Sequence, residues 1–318
     1  MKIAILGATS QIFKDILFQW GRLQHSYELF LFSRNLQRAS EISSSIKYHG
    51  NCYILDIDDF CKSETKFDAI INFIGVGDPA KLEKYGNKIL QVTNDYDNHV
   101  ISYLENHPEC KYIFMSSGAV YGTSFSSGVN ENSVSTIPIN SITDKDFYSI
   151  SKLYTEVKHR ANKDKFIVDV RVFNIFSRFQ DINASFFITD AARAIINSDI
   201  LLVSPDDMLR DYIHPSDLRQ IIDLILGQTN KLNIAVDCYS KAPVGKFNLL
   251  NMLENKFNLK WKICGNKSIV DASGRKAYYF SDNKIAEKFG YMPKYTSIDT
   301  ILGELASIIE KHNDVGNI

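Results

Sequence analysis

Short apolar runs alternate with segments of helical spacing along the first part of the chain. The runs at 2–6, 28–32, 52–55 and 69–74 are typical of strands buried on both faces. Between the first two runs, apolar residues recur at helical intervals: Ile12, Phe13, Ile16, Leu17, Trp20 and Leu23. Strands separated by helices predict an α/β fold with a doubly wound parallel sheet, whose ligands bind at the carboxyl ends of the strands.

Length and composition narrow the classes of protein. A chain of 318 residues is long enough for one large domain and a smaller lobe. Its net charge of −1 gives no electrostatic reason to expect nucleic acid or an anionic membrane as partner. No apolar run approaches the roughly eighteen residues of a membrane span, and the start of the chain does not resemble a signal peptide. The five cysteines are scattered without metal-ligand spacing, so we expect a soluble cytoplasmic protein without a metal.

The turn after the first strand is a candidate phosphate-binding turn. A glycine-containing turn that enters a helix brings backbone amides and the helix dipole to a pyrophosphate. Gly7 stands at the first glycine position of the usual dinucleotide motif, but Ser10 and Phe13 occupy the other two. Ser10 can still donate a hydroxyl to phosphate. The motif is weak alone, and an ordinary strand–helix turn explains it equally well.

The turn after the second strand lacks the carboxylate that commonly binds the ribose 2′-hydroxyl of NAD. Ser33 and Arg34 stand there instead, and a hydroxyl beside a guanidinium suits a 2′-phosphate. We therefore predict NADP(H) in preference to NAD(H), the alternative being that Arg34 is a solvated surface residue. At the next two strand ends, other candidates would meet the adenine edge and pass beneath the cofactor ribose: Asp56, Ile57, Phe73, Ile74 and Gly75.

Tyr148 and Lys152 stand four residues apart, which places them on one face of a helix. An ammonium beside a phenol favours the phenolate, so the tyrosine could exchange a proton near neutral pH. Ser117, at a strand end, could hold the oxygen that is reduced or oxidised. An exposed Tyr–Lys pair is the alternative interpretation of this spacing alone.

In order and spacing, these motifs resemble the extended short-chain dehydrogenase/reductase family, in its branch of nucleotide-sugar epimerases, dehydratases and 4-ketoreductases. The resemblance covers nearly the whole chain. The segments that carry it are Gly7-Ala-Thr-Ser-Gln-Ile12, Ser116-Ser-Gly-Ala-Val-Tyr-Gly122, Tyr148 to Lys152, Arg171-Val-Phe-Asn174 and Arg210-Asp-Tyr-Ile-His-Pro-Ser-Asp217.

The resemblance implies roles for individual residues. Tyr148 would be the general acid/base, Ser117 would bind the reacting oxygen, and Lys152 would hold the nicotinamide ribose and lower the tyrosine pKa. Asn94 matches an asparagine that orders this region, although a helix-surface amide is an equally good interpretation. The first turn would contribute Gly7, Thr9, Ser10, Gln11 and Ile12 to the cofactor, and the substrate, a nucleotide-diphosphate sugar, would meet Tyr121, Asn174, Arg210 and Arg275.

The resemblance also implies a domain organisation. Residues 1–175 would form a Rossmann-like dinucleotide-binding domain, to which a helix near 215–228 returns. Residues 176–318 would form mainly the substrate-binding lobe, with the apolar run at 233–236 as part of that lobe. Family members often form homodimers through the helices after Asn94 and around Tyr148, and this chain has the apolar residues for a possible homodimer.

The same comparison narrows the reaction. Sugar dehydratases of this family carry an Asp-Glu pair where this chain has Gly118 and Ala119, which cannot transfer protons. What remains is oxidation and reduction at one carbinol. Ser33 and Arg34 favour an NADPH-dependent reductase of a nucleotide-linked 4-keto-(6-deoxy) sugar. The alternatives are an NAD-dependent nucleotide-sugar 4-epimerase and a catalytically silent NADP(H)-sensing regulator.

Overall fold

A computed structural model describes residues 1–75, 85–122, 125–265 and 277–316 of the protein. Its centre is a parallel sheet of seven strands in the order β3-β2-β1-β4-β5-β6-β9, as predicted for a doubly wound sheet. The strands are β1 (Lys2–Leu6), β2 (Glu28–Ser33), β3 (Cys52–Asp56), β4 (Ala69–Asn72), β5 (Lys111–Ser117), β6 (Ile167–Val172) and β9 (Asn233–Cys238). The four predicted amino-terminal strands are confirmed.

Helices cover both faces of this sheet. Five helices of the described chain lie against it: α1 (Gln11–Arg22), α2 (Leu36–Ser45), α3 (Lys88–Asn106), α4 (Asp144–Ala161) and, after the fifth helix, α6 (Pro215–Leu226). The apolar positions of α1 predicted from helical spacing, such as Phe13 and Trp20, are completely buried and share one core with α2 and α6. Val100 and Leu104 of α3 pack in a second core on the opposite face. The sheet therefore buries both faces, which explains its nearly continuous apolar strands.

The second lobe follows β6 and has its own core. It contains α5 (Phe187–Asn197), β7 (Ile200–Val203), β8 (Leu209–Arg210), β10 (Val244–Gly245), α7 (Lys246–Phe257), β11 (Lys260–Ile263), β12 (Tyr278–Tyr279) and α8 (Ser297–Gly316). Two small sheets, β10-β8-β12 and β11-β7, join these elements. Apolar side chains of α5, α7 and α8 pack together in a core separate from the two cores of the main sheet.

One strand lies elsewhere than the sequence suggested. The run at 233–236 was expected to build the small lobe, and that prediction is wrong. It belongs to β9, which pairs with β6 in parallel register from Ile167↔Asn233 to Val172↔Cys238. The helix before it, α6, packs against α1, so the chain returns to the main domain with both elements. The pairing of β9 with β6 joins residues far apart in sequence, so the local pattern of β9 does not predict it.

Short 3-10 helices complete the described chain, at Ile57–Lys62, Gly118–Tyr121, Ile139–Ser141 and Ile285–Phe289. The first two follow the ends of β3 and β5 directly, where ligands of doubly wound sheets bind. In the described parts of the chain, none of the helices has the length and apolar content that crossing a membrane requires.

Candidate active site

The site lies where β5 ends and α4 begins. Ser117 is the last residue of β5, and its Oγ accepts a hydrogen bond of 3.1 Å from the Ala119 amide. Helix α4 begins after Thr143, whose backbone amide donates to the Asp146 carboxylate at 2.8 Å in a capping box. The capping box fixes the first turns of α4, and these turns place Tyr148 and Lys152 near the end of β5.

The structure brings Ser117 and Tyr148 together, as predicted. The Tyr148 phenol lies near the Ser117 hydroxyl, and Tyr148 is half-buried. Burial raises the pKa of the Tyr148 phenol, and the nearby Ser117 hydroxyl partly offsets that rise. The phenol is therefore protonated near neutral pH and is suited to donate a proton to an oxygen placed beside Ser117.

Lys152 lies behind this pair, 2 % exposed. Its Nζ donates to the Met115 carbonyl oxygen at 2.8 Å and lies 4.2 Å from the centroid of the Phe114 ring. Burial lowers the pKa of the ammonium to about 8, although the more distant carboxylates of Asp97, Asp169 and Glu156 oppose that shift. The expected lowering of the Tyr148 pKa by Lys152 stays a prediction, because the immediate partner of the ammonium here is a backbone carbonyl.

The backbone of the first turn lies very close to the backbone that follows β4. Gly7 has a φ of +80°, and a Cβ there would lie 3.1 Å from the Ile74 amide nitrogen. Ser10 caps α1, its Oγ accepting from the Phe13 amide at 3.1 Å. A Cβ at Gly75 would lie 3.2 Å from the Lys152 Nζ. Gly7 and the capped start of α1 fit the pyrophosphate of a dinucleotide. Gly75, beside Lys152, fits the ribose of the same cofactor at the ammonium.

Phe13, which stands at the third glycine position of the motif, is completely buried. Its ring packs against Phe73 with centroids 5.8 Å apart. The contact between α1 and the end of β4 is thus made by two aromatic rings, which explains how a bulky residue is accommodated there.

At the second turn, Ser33 is buried and Arg34 is exposed. The Ser33 Oγ accepts a 3.0 Å hydrogen bond from the Asn35 amide, whereas the Arg34 guanidinium bonds the Tyr85 hydroxyl, which raises the arginine pKa further. Asp56 lies beside Ser33 in the register of β2 and β3, and its carboxylate caps the following 3-10 helix by accepting from the Asp58 amide at 2.9 Å. Ile57 is buried beneath it.

Two predicted cofactor residues have their side chains engaged with other parts of the protein. The Gln11 Nε2 donates to the Ser177 Oγ at 3.2 Å and to the Gln180 Oε1 at 3.1 Å, which ties α1 to the loop after β6. The Asn94 Oδ1 accepts from the Lys158 Nζ at 3.0 Å, between α3 and α4. Thr9 and Ile12 are half-buried beside the first turn.

The predicted substrate residues occupy varied surroundings. The Tyr121 hydroxyl donates to Asp237 Oδ2 at 2.9 Å and accepts from the Arg171 guanidinium at 2.8 Å. The Asn174 amide donates to the Asp211 carbonyl oxygen at 2.8 Å. The Arg210 guanidinium is buried and lies 5.6 Å from the centroid of the Tyr279 ring. Arg275 lies outside the described residues.

Tyr279 is a site residue that sequence reasoning missed. It is buried, and its phenol lies near the Ser117 hydroxyl. It also packs near Arg210, so it connects the reacting end of β5 with the predicted diphosphate-binding arginine. Burial raises the pKa of its phenol above the usual range. Two adjacent tyrosines far along the chain were the only signal, and no spacing related them to Ser117.

Comparison with known protein families agrees with this architecture. A doubly wound sheet with a serine at the end of β5 and a Tyr–Lys pair on α4 is the arrangement expected of an extended short-chain dehydrogenase/reductase. The chain belongs to the NAD dependent epimerase/dehydratase family, whose model matches residues 3–235. The resemblance drawn from the sequence motifs is confirmed. No curated protein matches the sequence in a direct search.

Several solved structures share the fold. UDP-glucuronic acid 4-epimerase from Bacillus cereus, in complex with UDP-glucuronic acid and NAD, has a TM-score of 0.79 at 17 % identity, covering 98 % of this chain and 100 % of that chain. UDP-glucose-4-epimerase from Stenotrophomonas maltophila, with NAD and formylated UDP-arabinopyranose, has a TM-score of 0.81 at 15 % identity over 99 % of both chains. The dTDP-glucose 4,6-dehydratase from Bacillus anthracis, with NAD, has a TM-score of 0.76 at 14 % identity, covering 99 % and 98 %. At these identities the likeness establishes the fold.

Proposed function

We propose that the protein is a nicotinamide-dependent 4-epimerase of a nucleotide-linked sugar, in which one carbinol is oxidised and then reduced again. The observation that carries this proposal is the placement of Tyr148 near Ser117, on the same helix as a buried Lys152 that lies against Gly75. A bound nicotinamide dinucleotide supplies the hydride acceptor and donor in such chemistry.

The chain's own groups divide the remaining work. Ser117 binds the oxygen of the reacting carbinol. Tyr148, once deprotonated, takes up the carbinol proton during oxidation and returns it during reduction. Lys152 holds the ribose of the dinucleotide through the N–H groups that Met115 does not use, because an ammonium has three donors. Tyr279, whose phenol lies near Ser117, orients that hydroxyl toward the carbinol.

Water elimination is a poor fit to this site. It requires an acid and a base beside the reacting sugar, and Gly118 and Ala119 offer neither. A Cβ at Gly118 would lie 2.5 Å from the Phe173 ring, so a longer side chain has no room there. This packing supports redox chemistry at one carbon, and the epimerases among the structures that share the fold support a UDP-sugar as the substrate.

NADPH-dependent reduction of a 4-keto sugar is the second candidate. It rests on Arg34, which is exposed after β2 and would meet a ribose 2′-phosphate. The structures that share the fold contain NAD, which supports the epimerase instead. The choice of dinucleotide and the reaction are therefore tested together.

The experiment is to incubate the purified protein with a panel of UDP-sugars and a small amount of NAD, and to identify products by NMR. Interconversion of 4-epimers without net consumption of the dinucleotide is expected. Stoichiometric NADPH consumption with a 4-keto sugar, together with weaker NADPH binding by Arg34→Ala, would instead favour the reductase. Absence of product and of dinucleotide binding would contradict both.

The homodimer stays a prediction. Tyr154 and Val157 on α4 are 55 % and 59 % exposed, and such apolar exposure on the helix predicted to form the interface supports it.

A further inference from the structure

A group of charged side chains lies buried between α3, α4 and β6. His159 of α4 is fully buried, with its Nε2 2.7 Å from Asp97 of α3 and its Nδ1 2.6 Å from Asp169 of β6. The same carboxylates pair with the Lys158 ammonium at 2.6 Å and the Arg160 guanidinium at 2.8 Å. Each nitrogen of the imidazole thus faces a carboxylate, an arrangement that fixes the ring as a doubly hydrogen-bonded cation.

Hydrogen bonds lead from this group to the end of β4. Asp97 Oδ1 also accepts from the Tyr112 hydroxyl of β5 at 2.7 Å. That hydroxyl accepts from the Asn72 Nδ2 at 3.0 Å, and the Asn72 Oδ1 accepts from the Ile74 amide at 2.9 Å. Tyr112 and Asn72 are buried, so the links between Asp97, Tyr112 and Asn72 are made away from water, and the final link to the Ile74 amide is partly buried. The result is one continuous path from His159 to the backbone of Ile74.

The path ends at the segment Phe73–Gly75, which two parts of the candidate site contact. Gly7 of the first turn approaches the Ile74 amide nitrogen so closely that a Cβ there would lie 3.1 Å away. On the other side, Gly75 lies beside the Lys152 Nζ. The orientation of this segment therefore sets the distance between the first turn and the buried ammonium.

Burial of so many polar groups is costly unless each has its partner. Packing between a helix layer and a sheet does not require them, since apolar residues of similar size would fill the same space. The links from His159 through Asp97, Tyr112 and Asn72 to Ile74 are all hydrogen-bonded, and such a path is expected to hold a local structure in one geometry. The backbone held in this case is at the carboxyl end of β4, the end at which such sheets bind ligands.

We propose that Tyr112 and Asn72, anchored by Asp97 and His159, are positioning residues that hold the segment Phe73–Gly75 in the geometry that binds the nicotinamide dinucleotide. The inference rests on the proposed function, because it assigns this segment to the cofactor. None of the four side chains touches the dinucleotide in this account. They act through the Ile74 amide and the backbone that follows it.

The chain provides a matched pair of variants for the test. Tyr112→Phe removes the hydroxyl that links Asp97 to Asn72. Tyr103→Phe removes another largely buried hydroxyl, which accepts from the Phe67 amide at 2.9 Å and donates to the Thr65 carbonyl oxygen at 2.8 Å. These bonds lie before the start of β4, at the opposite end of the same strand. Both variants lose two hydrogen bonds of a tyrosine hydroxyl, so both are expected to lose similar stability.

The measurements are NADH affinity by fluorescence and deuterium exchange of the peptide that contains Ile74. Tyr112→Phe is expected to weaken NADH binding about five- to tenfold and to speed exchange at Ile74, because the hydrogen bonds that link Asn72 to Asp97 are lost. Tyr103→Phe is expected to change the affinity less than about twofold. Asn72→Ala added to Tyr112→Phe should weaken binding by less than the two single effects combined, because both act on one path.

Two results would overturn the inference. One is equal NADH affinity for Tyr112→Phe and Tyr103→Phe with unchanged exchange at Ile74. The other is full additivity of Tyr112→Phe and Asn72→Ala. Failure of the wild-type protein to bind either dinucleotide is a different result: it would overturn the proposed function and, with it, the assignment of Phe73–Gly75 to a cofactor.

Discussion

The pKa values of two buried cations on α4 shift in opposite directions, one in each half of the helix. In the amino-terminal half, Lys152 is 2 % exposed and burial lowers the pKa of its ammonium to about 8. In the carboxy-terminal half, His159 is 0 % exposed, yet its pKa rises to about 9 because Asp97 and Asp169 outweigh the cost of burial. Similar burial on one helix therefore gives shifts of opposite sign, and the difference is direct contact with a carboxylate.

This contrast separates a group that stabilises the fold from the group that we propose binds the dinucleotide. His159 finds both of its partners within the protein, whereas the direct contacts of Lys152 in the described residues are a carbonyl oxygen and an aromatic ring. A buried ammonium with donors left over is poorly solvated, and hydroxyl groups of a ligand can compensate it. The carboxy-terminal half of α4 thus stabilises the fold through His159. In the proposed function, the amino-terminal half offers the remaining N–H donors of Lys152 to the dinucleotide.

The largest expected effect is on stability, from His159→Gln. The folded pKa of about 9 exceeds the ordinary value of 6.5, so the stabilisation is complete below pH 6.5 and is lost as the pH rises through 9. The variant should lose about 3 kcal/mol of unfolding free energy near pH 6, and this loss should shrink toward pH 10. Urea unfolding between pH 6 and pH 10 measures it.

The exposed His99 on α3 provides the control, because His99→Gln removes a histidine without a buried partner. Its stability should follow that of the wild type at every pH. If His159→Gln also followed the wild type, the interior charge cluster would not contribute to folding in the way described.

The next effect is on turnover. Tyr148→Phe removes the phenol hydroxyl near Ser117, and loss of a proton donor is expected to slow the reaction at least about a hundredfold. Dinucleotide affinity should stay within about threefold of the wild type, since the ring is retained. Steady-state assays with the active UDP-sugar, beside a fluorescence titration, give both values. Near-normal turnover would exclude Tyr148 as the proton carrier.

A smaller effect, opposite in sign, is expected from Lys152→Met. The folded pKa of about 8 lies below the ordinary 10.5, so the charge destabilises the fold below pH 8, and this cost disappears as the pH rises to 10.5. The variant without ligand should therefore gain about 2 kcal/mol of unfolding free energy at pH 7 and less at pH 10. Lys158→Met is the matched control, because that ammonium pairs with Asp97 at 2.6 Å and its removal should give no gain. A destabilised Lys152→Met at pH 7 would refute the contrast between the two halves.

Much of the main sheet was predictable because most of its strands are buried. The runs of β1, β2, β3 and β4 are apolar over most of their length, although β3, at the edge of the sheet, is partly exposed. The strand β9 was misplaced because the second lobe separates it from β6 in sequence. Its Asn233 and Asp237 also interrupt the apolar run, since both make buried or half-buried hydrogen bonds at the sheet.

The candidate reacting groups could be found in the sequence for a different reason. Tyr148 and Lys152 have a fixed spacing on one helix, and Ser117 stands in a recognisable strand-end segment. The path from His159 to Ile74 has no such signature, because its members come from α4, α3, β5 and β4 and meet only in the folded chain. One signal was present in the sequence: Asp169 lies within the apolar strand β6, where a charge requires a buried partner.

The most direct test of the proposed binding of a nicotinamide dinucleotide by Lys152 is a fluorescence titration of the wild-type protein and Lys152→Met with NADH. We expect saturable binding by the wild type and at least about tenfold weaker binding by the variant, because a buried charged donor to the ligand is lost. The weaker binding should accompany the higher stability predicted for the variant. Equal affinities, or no binding by the wild type, would contradict the assignment of Lys152 to a nicotinamide dinucleotide.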